Sequence, residues 1–123
     1  MDLNEITNEI HRNAVEHGWW DEPRSFGEIV ALCHSELSEA LEEYRAGSPL
    51  VYADDYEIMQ RITAKSEISA KYLKPEGMAV EMVDCLIRIL DWFGQMELDV
   101  EEILAIKHEY NKTRPYRHGG KVI

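Results

Sequence analysis

The chain has 123 residues, 45% hydrophobic and 30% charged, with 24 acidic against 13 basic side chains and a formal net charge of -11. Such a length buries about two-thirds of the unfolded surface without a disulfide framework, and 7 Gly with 4 Pro are too few for a disordered or fibrous chain. No apolar run approaches the roughly 18 residues of a membrane span, the polar start MDLNEITNEI is unlike a signal peptide, and the acidic balance disfavours polymeric nucleic acid as a partner.

Helical punctuation runs through the whole sequence, and no hairpin signature interrupts it. The first helix is expected from about Asp2 to His17, with Leu3, Ile6, Ile10 and Ala14 at helical spacing and Gly18 as its stop. A loop carrying Trp19, Trp20 and Pro23 follows. Ser25-Phe26-Gly27-Glu28 is a capping box that opens a second helix, which runs to Gly47. Residues 48–74 are the least regular stretch and read as an insertion or lid. A third helix is predicted from near Pro75-Glu76 to about Gly94, and Asp99 with Glu102 opens a fourth that ends before Pro115. The expected architecture is a single all-α, four-helix-bundle-like domain. Cys33 and Cys85 fall inside apolar helical segments, as reduced thiols of a cytoplasmic protein would.

Two of these helices carry paired acids. Glu36 and Glu39 on the second, and Glu81 and Asp84 on the third, are i, i+3 pairs, so each pair projects from one helix face. At about 100° per residue, Glu36 is flanked by Ile29, Cys33, Leu37, Ala40, Leu41 and Tyr44 on one side and by Leu32 on the other. On the third helix Glu81, Asp84, Arg88, Asp91 and Gln95 share a polar strip about 80° wide, and apolar residues occupy nearly all the rest. A helix so apolar is expected at the centre of a core, with its acidic strip facing solvent, a cleft or another acidic strip. Four carboxylates converging from two packed helices repel one another unless a cation neutralises them. An oxygen-only donor set selects Mg²⁺ or Mn²⁺ over zinc. Neither helix offers the Glu-x-x-His spacing of a ferritin-like di-iron site. Glu43 shares the stripe of Glu36, where a solvated role is the simpler expectation.

Charge is also distributed unevenly. From Lys107 to Ile123 the segment is +4, through Lys107, Lys112, Arg114, Arg117 and Lys121 against Glu109, and the remainder of the chain is -15. A basic tail beside an acidic body suits a polyphosphate held between metal and cationic side chains. Lys112 and Arg114 equally suit a helix C-terminus complementing its macrodipole.

Glu36-x-x-Glu39, Glu81-x-x-Asp84 and Lys107-x-x-x-Asn111-Lys112-x-Arg114-Pro115, in that order, resemble the signature of the MazG-like all-α nucleotide pyrophosphohydrolases. The resemblance spans roughly Ser25 to Arg117. It implies Mg²⁺-dependent cleavage of a nucleoside triphosphate between the α and β phosphates, giving a nucleoside monophosphate and pyrophosphate. It further implies a homodimer or homotetramer and a house-cleaning role in the nucleotide pool. Carried over by motif position, Glu36, Glu39, Glu81 and Asp84 are the metal ligands, and one of the glutamates holds or deprotonates the attacking water. Lys107, Asn111 and Arg114 become candidate contacts for phosphate or sugar, and Arg114, Arg117 or Lys121 could stabilise the departing pyrophosphate. Trp19 and Trp20 are candidate platforms for the base, although a core or interface role is expected for at least one of them. The sequence departs from the family in having Ser35 where many members carry a further Glu, and in its longer spacing between Glu39 and Glu81. Two other functions remain compatible with the acids: a helical interaction module whose acidic strip is merely solvated, and a metal-dependent phosphohydrolase acting on a non-nucleotide substrate.

Overall fold

A computed structural model describes residues 2–53 and 74–123. Within them the chain is all-helical: α1 (Leu3–Glu16), α2 (Phe26–Arg45), α3 (Met78–Gln95), α4 (Val100–Lys112) and the single turn α5 (Arg117–Gly120). Residues 54–73, most of the expected insertion or lid, lie outside the described residues. No helix among the described residues is long and apolar enough to cross a membrane.

Local chemistry sets most helix ends. Asp2, Ser25 and Asp99 are N-caps, accepting the N–H groups of Glu5, Glu28 and Glu102 at 3.0, 3.1 and 3.0 Å. Each such cap contributes about 1 kcal/mol. The box at Ser25 is half formed, since Glu28 turns its Oε1 to the Ser25 hydroxyl at 3.4 Å. Past α1 and α2, Gly18 (φ 84°) and Gly47 (φ 70°) take the left-handed conformation that lets the chain turn back on the last carbonyls.

The third helix starts later than expected and ends at Gln95, within one residue of the expected Gly94. Glu76 pairs with Tyr52 through reciprocal backbone bonds of 2.8 and 2.9 Å. Gly77 (φ 116°) lies against the Leu50 carbonyl, where no side chain would fit, so α3 starts only at Met78. It then runs through Gly94. A Cβ on Gly94 would stand 2.5 Å from the Cβ of His11, so this glycine permits close helix approach and does not end the helix. The turn falls instead on Glu97, a non-glycine residue at φ 54°.

The chain folds as two compact units, Met1–Asp21 with Leu90–Ile123, and Glu22–Ile89. In the first, Asn4 ties the starts of α1 and α4: its Nδ2 donates to Asp99 at 2.9 Å, and its backbone N–H donates to Glu101 at 3.1 Å. Thr7, Leu90 and Val100 are buried there. Asp91 accepts the Trp20 indole N–H at 3.0 Å and pairs with His11 Nδ1 at 2.8 Å. α5 is a left-handed turn, with Arg117 and His118 both at positive φ.

In the second unit, Ile29, Glu36 and Ala40 of α2 and Cys85 of α3 are buried. The central placement expected for α3 is not what the single chain shows. On its first three turns the arc around Glu81, Asp84, Cys85 and Arg88 is the shielded one, while Met82, Val83, Leu86, Ile87 and Ile89 are exposed. Leu37, Leu41 and Tyr44 of α2 are likewise exposed, although the sequence pattern places them on the apolar stripe. Apolar periodicity records which side chains avoid water. It does not record whether this chain supplies the cover.

Candidate metal centre

The site belongs to the second unit. On α2 the shielded row is Ile29, Cys33, Glu36 and Ala40, residues repeating every three or four positions, so Glu36 stands within the apolar row and is only 7% exposed. Glu39 lies one turn further on and is exposed. Glu81 and Asp84 face them from α3, both partly shielded. The side-chain contacts run in opposite directions along the two helices, Glu39 meeting Glu81 and Glu36 reaching Arg88, so α2 and α3 are antiparallel here.

Carboxylate oxygens of Glu36, Glu39 and Glu81 all lie within 4.8 Å of one another, and this is the group of metal-competent side chains found among the described residues. Asp84, the fourth residue of the expected set, is not brought into that trio. Arg88 Nε donates to Glu36 Oε1 at 2.7 Å. Glu43, on the same stripe of α2, is taken by another partner: the Tyr52 hydroxyl donates to its carboxylate at 2.9 Å.

The electrostatics follow from this packing. Burial pushes Glu36 up, but the hydrogen bond from Arg88, together with bonds to Glu39 and Glu81 and the Arg88 charge, outweighs burial and leaves its pKa lowered. Glu39 is raised by its hydrogen bond to Glu36 and by the Glu36 charge. Burial, then the charge and hydrogen bond of Glu39, raise Glu81 to about 7. Asp84 is raised by burial and by the Glu36 charge, against an opposing effect of Arg88. One carboxylate is thus held ionised while its neighbour keeps a proton close to neutral pH, the behaviour of like charges forced together.

The donor set fits a hard divalent ion. An octahedral Mg²⁺ with oxygens at about 2.1 Å places opposite ligands about 4.2 Å apart. Three donors on one such ion include neighbours about 3 Å apart, so the trio, within 4.8 Å in the metal-free chain, would draw together on binding. All three donors are oxygens, and no Cys or His among the described residues joins them.

The remaining residues expected in the site belong to the other unit. Lys107 and Asn111 are exposed on α4, with the Lys107 ammonium 4.9 Å from the centre of the Tyr110 ring. Arg114 is half-buried just past α4, and Arg117 is exposed with its guanidinium 5.7 Å from the Tyr116 ring. Trp20 is anchored by Asp91 and stands edge-on to His11, whereas Trp19 is 50% exposed. Sequence reasoning did not assign Arg88 to the site. Its signal was its place on the acidic strip, one turn beyond Asp84. No known protein family, curated protein or solved structure matches this chain.

Proposed function

We propose that the chain is a divalent-cation-dependent nucleotide pyrophosphohydrolase of the MazG-like all-α kind. It would cleave a nucleoside triphosphate between the α and β phosphates and release a nucleoside monophosphate and pyrophosphate. The observation that carries this reading is the convergence of Glu36, Glu39 and Glu81 oxygens within 4.8 Å, from two helices, with Arg88 as the cation bonded to the cluster. The order of the acidic motifs and the basic end of the chain support it.

On this reading Glu36, Glu39 and Glu81 would hold Mg²⁺ or Mn²⁺ through carboxylate oxygens, with Asp84 completing the acidic set. When bound, such an ion offsets phosphate charge and lowers the pKa of an adjacent water. One of the glutamates would orient that water and receive its proton. Lys107, Asn111, Arg114 and Arg117 carry the kinds of positive charge and amide donor that triphosphate and sugar require, and Trp19, 50% exposed, is a candidate contact for the base. A homodimer or homotetramer in the cytoplasm is the corresponding assembly. The exposed Leu37, Leu41, Met82, Val83 and Leu86 support it, since a second copy would take them out of water.

The same exposed residues favour a second reading, a helical module that binds a partner and turns over nothing. A pyrophosphate-release screen across canonical and modified nucleoside triphosphates, with and without Mg²⁺, separates the two. Equal yields of pyrophosphate and nucleoside monophosphate are expected. Orthophosphate release would rule out α–β cleavage, and silence across the whole panel would leave the interaction module.

A further inference from the structure

We propose that Cys33 of α2 and Cys85 of α3 are a redox-responsive thiol pair, which a peroxide converts into an intramolecular disulfide that staples the two helices together. Both thiols are free, Cys85 is buried, and Cys33 is partly shielded. They come from facing surfaces: Cys33 belongs to the shielded row Ile29, Cys33, Glu36 and Ala40 of α2, and Cys85 to the shielded arc of α3. There they meet, the two thiol groups sharing a hydrogen bond. A second contact holds the helices together at this level, because Glu36, one turn beyond Cys33, is bonded at 2.7 Å to Arg88, one turn beyond Cys85. The short side chains of Cys33 and Ala40 suit the Cα separation of about 4.4–6.8 Å that a disulfide requires.

Position, not acidity, makes the pair reactive. Burial, then the charge and hydrogen bond of Cys85, push the Cys33 thiol up, so the thiolate is scarce near neutral pH and the first step is slow. Cys33 is the more accessible sulfur and takes that step. Its sulfur attacks one oxygen of hydrogen peroxide, the O–O bond breaks, a sulfenic acid forms, and the thiol proton leaves with the other oxygen as water. Cys85 then attacks the sulfenic sulfur. The S–O bond breaks, and the hydroxyl leaves as a second water with the Cys85 proton. Two electrons and two protons thus pass from the thiols to one molecule of peroxide. A partner thiol already in contact intercepts the sulfenic acid before it oxidises further. Disulfides that form in a reducing compartment are typically transient and redox-sensing. The pair stands outside the carboxylate trio, and no step calls on a metal ion.

Hydrogen peroxide in excess, applied to the reduced, intact chain in EDTA, tests this, with a non-reducing peptide map and thermal melts as readouts. The expected product is a monomer that has lost two hydrogens and in which the peptides carrying Cys33 and Cys85 are joined. Because the crosslink closes a long loop of the unfolded chain, Tm is expected to rise by about 10 °C and to return with dithiothreitol. Cys33→Ser should abolish the joined peptides, and Cys85→Ser should leave Cys33 to oxidise onward to the sulfinic acid. Wild-type chain that gains oxygen at Cys33 with no crosslink, that joins two copies, or that stays reduced overturns the inference. A joined pair with an unchanged or lowered Tm overturns it too, since the bond would then form only by distorting the helices. Where a variant does not fold, the wild-type outcomes decide alone. Pyrophosphate release plays no part in these readouts, so their failure leaves the nucleotide reading standing.

Discussion

Glu81 makes the folded chain a sensor of its own charge crowding, and pH is the perturbation that reads it. In the metal-free protein its pKa stands at about 7, against 4.5 for an unperturbed glutamate. Between those values the folded state binds more protons than the unfolded state, so stability falls as pH rises through the window. At about 1.4 kcal/mol per pKa unit, the rise from 4.5 to about 7 sets a ceiling of about 3 kcal/mol. Glu81 is only partly shielded and solvent screens it, so about 1–2 kcal/mol is the working expectation, or about 5 °C in Tm for a chain of this size. Glu39 and Asp84 are raised as well and act in the same direction. Glu36 is lowered, so its contribution is complete above its unfolded value and lost only as pH falls below it, outside the window. Circular dichroism melts in EDTA from pH 5 to pH 8 should show Tm falling for the wild type and a much flatter profile for Glu81→Gln. Mg²⁺ should restore the wild type more at pH 8 than at pH 5, and Glu81→Gln should show no pyrophosphate release. A difference in Tm between wild type and Glu81→Gln that stays constant over this range would refute the crowded-carboxylate account.

Two positions, one on α3 and one just past it, test the backbone argument. Gly94→Ala places a Cβ 2.5 Å from the Cβ of His11, where both atoms are fixed to helices. Urea unfolding should show a loss of about 1–3 kcal/mol, although helix propensity alone favours Ala by about 1 kcal/mol, so a gain would contradict the close approach. Glu97→Gly should do the opposite, because φ 54° strains a residue with a Cβ. A gain of about 0.5–1 kcal/mol is expected by the same measurement, and a loss would show that the Glu97 side chain contributes more than its backbone costs.

What the sequence makes legible is what local chemistry decides. Asp2, Ser25, Asp99, Gly18 and Gly47 act on atoms within a few residues of themselves, and the helix ends they imply are the observed ones to within about two residues. The start of α3 is decided elsewhere, by the pairing of Glu76 with Tyr52, and the role of Gly94 in packing against His11 is likewise set by a distant residue. The same division runs through the site. Spacing of three residues is enough to put Glu36 with Glu39 on one face and Glu81 with Asp84 on another, and three of the four converge. The bond from Arg88 to Glu36 spans 52 residues of sequence, and the capture of Glu43 by Tyr52 depends on a loop path that no periodicity encodes.

The packing of α3 and the charge of its neighbours place one demand on the molecule. If all were ionised, the carboxylates of Glu36, Glu39, Glu81 and Asp84 would face, among the described residues, the one guanidinium bonded to them, that of Arg88. Turning this strip inward against α2 is unfavourable unless some of that charge is removed. In the metal-free chain part of it is removed by a proton on Glu81, which is why burial and its neighbours raise that residue furthest. Proton and divalent cation then compete for the same oxygens, so cation affinity should climb with pH up to about 7 and level off above it. The loss of metal-free stability and the gain in cation binding are two sides of one equilibrium, and both turn at the pKa of Glu81.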